Sequence, residues 1–100
     1  MEEFFIMFRL KDGNELSASV KLPPNPSEQE LEPIYQQEEQ IQKFFNDDHN
    51  KIKLVSEGCG YGYLMINNRK HSYDPGGISL QQLFEWCELG QSKVLSMSRC

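Results

Sequence analysis

Residues 3–22 read EFFIMFRLKDGNELSASVKL, and the fold turns on how this stretch is understood. Phe4, Ile6, Phe8 and Leu10 take every second position and alternate with Phe5, Met7 and Arg9. A period of two is the mark of a strand, whose successive side chains point to opposite faces. Past Asp12-Gly13 the pattern resumes: Leu16, Ala18, Val20 and Leu22 alternate with Ser17, Ser19 and Lys21. Two alternating runs around an Asp-Gly pair predict a β-hairpin. Phe5 and Met7 also place apolar side chains on the second face of the first strand. Both its faces are therefore expected to be covered, by the interior of a sheet or by a partner.

Downstream, Pro23-Pro24-Asn25-Pro26 cannot continue a ladder and closes the hairpin. Ser27 with Glu30 three residues on is a capping box. Leu31, Ile34, Tyr35, Ile41, Phe44 and Phe45 follow with helical spacing to about Asn46. Pro33 marks a loose first turn or a restart of that helix. Ile52 and Leu54 belong to the next strand, Gly58-Cys59-Gly60 to a reversal, and Tyr61 to Ile66 to another strand. Asn67-Asn68 makes a two-residue turn into a short returning strand at Arg69–Tyr73. After Asp74-Pro75-Gly76-Gly77, Ser79 and Gln82 begin a second helix with Leu80, Leu83, Phe84 and Cys87 as its stripe, ending at Gly90. Val94, Leu95 and Met97 suggest a last strand. The expected fold is α+β in the order β-β-α-β-β-(β)-α-β: a mostly antiparallel sheet of five to six strands with two helices on one face.

Nothing repeats and no linker divides the chain, so its 100 residues are read as a single domain, 1–100. No apolar run approaches the roughly 20 residues of a membrane span. The first residues carry two glutamates where a secretory signal carries positive charge, which points to a cytoplasmic protein. Cys59, Cys87 and Cys100, an odd count at wide spacing, fit reduced thiols better than a disulfide framework. The net charge of −5 is unevenly placed: residues 1–50 hold four Lys/Arg against eleven Asp/Glu. It peaks at Glu28, Glu30, Glu32, Glu38, Glu39, Asp47 and Asp48, against Lys43 alone. Such a field repels nucleic acid and anionic membranes and attracts basic proteins, and it also suits a helix face kept soluble by charge.

Candidate chemistry is sparse. Cys59 sits between glycines that expose a thiol, but a nucleophile needs a base and an orienting group. His49 and His71 are the only histidines, and neither stands in a pattern with Cys59. No Cys or His pair has metal-ligand spacing, and the side chains of adjacent Asp47, Asp48 and His49 diverge, so no metal or cofactor is expected. The glycines at 58–62 lead into a strand, whereas a dinucleotide loop leads into a helix. Gly60-Tyr61-Gly62-Tyr63-Leu64-Met65-Ile66 resembles the inner-strand motif of RNA-recognition modules. The resemblance implies that Tyr61 and Tyr63 face outward and stack on bases. Cys59 departs from it where a basic residue belongs, the strand at 16–22 lacks a stacking aromatic, and the chain is acidic.

These features together lead to the expectation of a non-enzymatic, cytosolic protein-binding inhibitor, a monomer or weak dimer without membrane contact. Immunity proteins that neutralise toxin nucleases share this physical character, as do phage inhibitors of host defence nucleases. The residues expected to meet a basic partner are Glu28, Glu30, Glu32, Glu38, Glu39, Asp47, Asp48, Tyr61 and Tyr63. The competing readings are an RNA-binding module acting through Tyr61 and Tyr63, and an enzyme built on Cys59.

Overall fold

The computed structural model describes residues 1–89, and the chain is α+β. The hairpin is β1 (Glu2–Arg9) and β2 (Glu15–Leu22), antiparallel in a register that pairs Phe8 with Leu16 and Phe4 with Val20. Its loop is closed by the Leu10 amide donating to the Asn14 carbonyl (2.8 Å) and the Gly13 amide donating to the Leu10 carbonyl (3.0 Å). Gly13 has φ +94°, the left-handed conformation that ends a three-residue hairpin loop. The Asp12 carboxylate accepts from the Asn14 amide at 2.9 Å and braces the turn.

Helix α1 (Glu28–Asn46) starts where the capping box places it. The Ser27 hydroxyl accepts from the Glu30 amide (3.3 Å), and the Glu30 carboxylate accepts from the Ser27 amide (3.1 Å). Pro33 lies inside the helix, beyond its first turn, so the helix runs through it without a restart. The missing Pro33 N–H removes one helical bond; packing of Ile41 and Phe45 in the core anchors the rest. Tyr35, expected on the buried stripe, is instead 58% exposed. At 100° per residue it falls on the outer stripe with Glu28, Glu32 and Glu39, away from Ile34, Ile41 and Phe45.

Strands β3 (Ile52–Gly58), β4 (Tyr61–Ile66) and β5 (Arg69–Tyr73) form an antiparallel meander. Cys59-Gly60 (φ 56° and 84°) and Asn67-Asn68 (φ 49° and 72°) are two-residue turns with both central residues left-handed, the hairpin geometry that matches strand twist. In place of the single sheet expected from the sequence, the strands form two of three each, β1-β2-β6 and β3-β4-β5. β6 (Ile78–Ser79) is a two-residue strand parallel to β2 that the sequence did not announce. It stops because Ser79 is already the N-cap of α2 (Leu80–Trp86), its hydroxyl accepting from the Gln82 amide at 3.1 Å. The second helix, expected to run to Gly90, ends at Trp86 with Cys87 as its C-cap, because Glu88 takes a left-handed φ of 59° that a helix cannot continue through. The strand expected around 94–97 lies outside the described residues.

Both sheets and both helices share one core. Phe8, Leu16 and Ala18 from the first sheet, Leu64 and Ile66 from the second, Ile41 and Phe45 from α1, Leu80 and Leu83 from α2 and its C-cap Cys87 form a continuous buried cluster. Phe8 and Phe45 meet edge to face with centroids 6.0 Å apart. The opposite face of β1 is open: Phe5 is 66% and Met7 58% exposed.

Candidate functional site

The acidic residues singled out in the sequence spread along α1 and its ends. Nineteen residues make a helix of roughly 27 Å, so Glu28 and Asp48 cannot contact the same small group. Glu30 is committed to the capping box and Glu32 is exposed. Asp47 is held by its neighbour: its carboxylate accepts from the His49 amide (2.9 Å) and meets His49 Nδ1 (3.0 Å). These bonds, that of the amide first, hold the Asp47 carboxyl below its ordinary range. Asp48 pairs with Lys11 at 3.5 Å, and the same lysine donates to the Asp47 carbonyl (2.8 Å), tying the hairpin loop to the end of α1. Part of the acidic run therefore has structural work.

Glu38 and Glu39 are placed differently. They line a groove of about 440 Å³ between α1 and the end of β1, together with Met7, Tyr35, Gln42, Lys43 and Asn46. Glu39 is bonded to Lys43 at 3.1 Å. The exposed apolar side chains of Met7 and Tyr35 adjoin these carboxylates, and Phe5, also exposed, precedes Met7 on the same face of β1. Alternation along β1 puts Phe5 and Met7 on its second face, as found, whereas helical spacing with Leu31 and Ile34 puts Tyr35 on the buried stripe, where it is not. The angular position of Tyr35 beside Glu28, Glu32 and Glu39 was the signal that could have placed it outside.

Tyr61 and Tyr63 lie on the face of β4 opposite Gly62, Leu64 and Ile66. Tyr61 is 54% exposed. Tyr63 is half-buried, with Lys70 Nζ 4.5 Å from its ring centroid. Phe5 and Met7 belong to the other sheet, so no ladder joins the tyrosines to them. The RNA-recognition module is a single four-stranded sheet. Here the strand at 15–22 and β4 stand in separate three-stranded sheets, which removes the architecture that the motif resemblance implied.

Cys59 is exposed in its turn, whereas Cys87 is buried and its thiol is pushed up to about 12 by that burial. Iodoacetamide at mildly alkaline pH should therefore label Cys59 rapidly and Cys87 only after unfolding, as read by peptide mass mapping. Rapid labelling of Cys87 in the native protein would contradict its burial. Among the described residues, no three His, Cys, Asp or Glu side chains gather into a metal-binding group, and no helix is long and apolar enough to cross a membrane.

His71 stacks on Trp86, ring centroids 4.9 Å apart, and joins β5 to α2 beside the Arg69–Glu88 ion pair. Its Nε2 is buried without a partner among the described residues. Burial first, then Arg69, lowers the pKa of His71 below its ordinary 6.5, with Glu88 opposing. Above pH 6.5 both folded and unfolded rings are neutral and the contribution to stability is complete. As pH falls through 6.5 the unfolded chain takes up the proton first, and stability drops until the folded ring also protonates. The slope cannot exceed about 1.4 kcal/mol per pH unit for one group. Urea unfolding between pH 7.5 and 5 should show this decline and lose it in His71→Phe. A ring titration midpoint at or above 6.5, followed by NMR, would refute the assignment. The carboxylate Asp47 acts in a separate window below about pH 4.

Compared with known proteins, the chain matches no family, no curated protein and no solved structure.

Proposed function

We propose that this is a cytosolic, non-enzymatic inhibitor that binds a basic protein, in the manner of an immunity protein covering a toxin nuclease. The observation that carries the reading is the groove beside α1, where Glu38 and Glu39 adjoin the exposed apolar side chains of Met7 and Tyr35. Carboxylates steer a basic partner toward the surface, and desolvated aromatic and methionine side chains hold it there. Glu28 and Glu32 extend the same outer stripe of the helix. A phage inhibitor of a host defence nuclease would use this mechanism on another target.

The test is affinity capture from the native cell, with the captured partner purified and titrated against the protein. A basic partner whose binding weakens steeply with salt is expected. The double variant Glu38→Lys/Glu39→Lys should bind it about tenfold to a hundredfold more weakly at low salt and show a flatter salt dependence. An acidic or neutral partner, or unaltered binding by the variant, would defeat the proposal.

The exposed Tyr61, and Lys70 over the Tyr63 ring, favour a second reading, single-stranded RNA bound on the second sheet. Tyr61→Ala/Tyr63→Ala should then abolish binding to an oligouridine probe; no binding by the intact protein ends that reading.

A further inference from the structure

The direction of the backbone groups along β1 can be read from its C-terminal end. Leu10 donates its amide across the hairpin to Asn14 (2.8 Å), whereas Arg9 has both its backbone groups engaged by the Gln42 side chain. The Gln42 amide oxygen accepts from Arg9 N–H at 3.2 Å, and its NH₂ donates to the Arg9 carbonyl at 2.9 Å. In an antiparallel ladder the peptide groups of alternate residues point to opposite sides. Even-numbered residues of β1 therefore bond to β2, and Glu3, Phe5 and Met7 present their N–H and C=O groups to the other edge, as Arg9 does. β1 is the terminal strand of its sheet, and among the described residues no strand pairs with that edge. Gln42 seals one end and leaves an unpaired stretch of about 13 Å from Glu3 to Met7.

We propose that this edge receives an extended, lysine- or arginine-bearing segment of a protein partner as an added strand. The inference rests on the reading above, that the partner is basic, and specifies how it docks. Alternate side chains of an added strand point to opposite faces. One set meets Phe5 and Met7, which calls for apolar residues; the other lies toward α1, where Glu38 and Glu39 call for cations. The nearest cation in that groove, Lys43, is already paired with Glu39 at 3.1 Å. A second copy of this chain fits less well, because antiparallel pairing of β1 with itself about Phe5 sets Glu3 of each copy opposite Met7 of the other, beside that copy's Glu38 and Glu39.

The probe is a heptapeptide of alternating lysine and valine, blocked at both ends, with a second version N-methylated along its backbone. N-methylation keeps charge and side chains and deletes the donors. The first peptide should bind, more weakly as salt rises, and should slow hydrogen exchange at the amides of Glu3, Phe5 and Met7 but not at Phe4 or Ile6. The methylated peptide should bind about tenfold or more weakly. Phe5→Pro removes one outward donor without touching the ladder to β2, and should weaken the first peptide similarly. No binding of the first peptide, or equal binding of the two, overturns the proposal. So does protection of Glu3, Phe5 and Met7 in the protein alone. At low concentration that result assigns the edge to residues 90–100 of this chain, and at high concentration only, to a second copy. If the edge fails while a basic partner still depends on Glu38 and Glu39, the inhibitor reading stands; if the peptide binds the edge but no basic partner exists, the inhibitor reading falls and the strand site remains.

Discussion

Phe45→Ala should lower the unfolding free energy by about 4 kcal/mol. Phe45 is fully buried, its ring stands edge to face on Phe8 at 6.0 Å, and Phe44 flanks it at 6.2 Å. It is also one of the two buried residues by which α1 is fixed to the rest of the molecule, the other being Ile41. Truncation removes both the transfer free energy of the ring and the contacts of the cavity lining. Domains of this size have about 5–15 kcal/mol in all, so the variant should sit close to its unfolding transition. Urea denaturation followed by circular dichroism measures the loss. Phe44→Ala, at a half-buried site, should cost clearly less, and Phe5→Ser, on the open face, close to nothing. A loss under about 1 kcal/mol for Phe45→Ala would mean that α1 is not anchored as described.

Gly62→Ala should cost about 2–3 kcal/mol, a large effect for one methyl group. Gly62 is buried in the middle of the second sheet, opposite Ser56 on one side and Tyr73 on the other. A Cβ there would fall inside the contact distance of the Val55 carbonyl oxygen and of the Tyr73 hydroxyl. The tyrosine can move; the carbonyl belongs to the ladder and cannot move freely. Placing Gly62→Ala in a Tyr73→Ala background should therefore recover part of the loss and leave the rest, a coupling that a double-mutant cycle reads directly. Full recovery would locate the whole clash in Tyr73, and no loss in the single variant would refute the close packing. The spacing of Tyr61 and Tyr63 by a glycine thus has a structural cause: the tyrosines need nothing from Gly62, but Tyr73 and Val55 do.

Much of the fold was legible. The alternation in Phe4–Leu10 and Leu16–Leu22 and the Asp-Gly pair suffice for the hairpin, because strand periodicity and turn chemistry are local. Ser27 and Glu30 locate the start of α1 for the same reason, and Asn67-Asn68 the last turn of the meander. Pro33 misled in part, since a helix held by Ile41 and Phe45 tolerates one missing bond. The candidate site was half legible. Charge density pointed to α1, but the sequence could not separate Asp47 and Asp48, tied to His49 and Lys11, from Glu38 and Glu39, which line the groove.

The sequence by itself determined which residues alternate, where helices are capped, which side chains are apolar and where negative charge accumulates, all of them properties of neighbours within a few positions. Only the tertiary structure decided that the strands split into two sheets, that β6 pairs in parallel with β2, and that the edge of β1 lies beside Glu38 and Glu39. Alternation tells which face a side chain takes but not which strand stands next to it. Strand partners are chosen by the packing of Phe8, Phe45, Leu64 and Leu83 into one core, and those contacts join residues far apart in the chain.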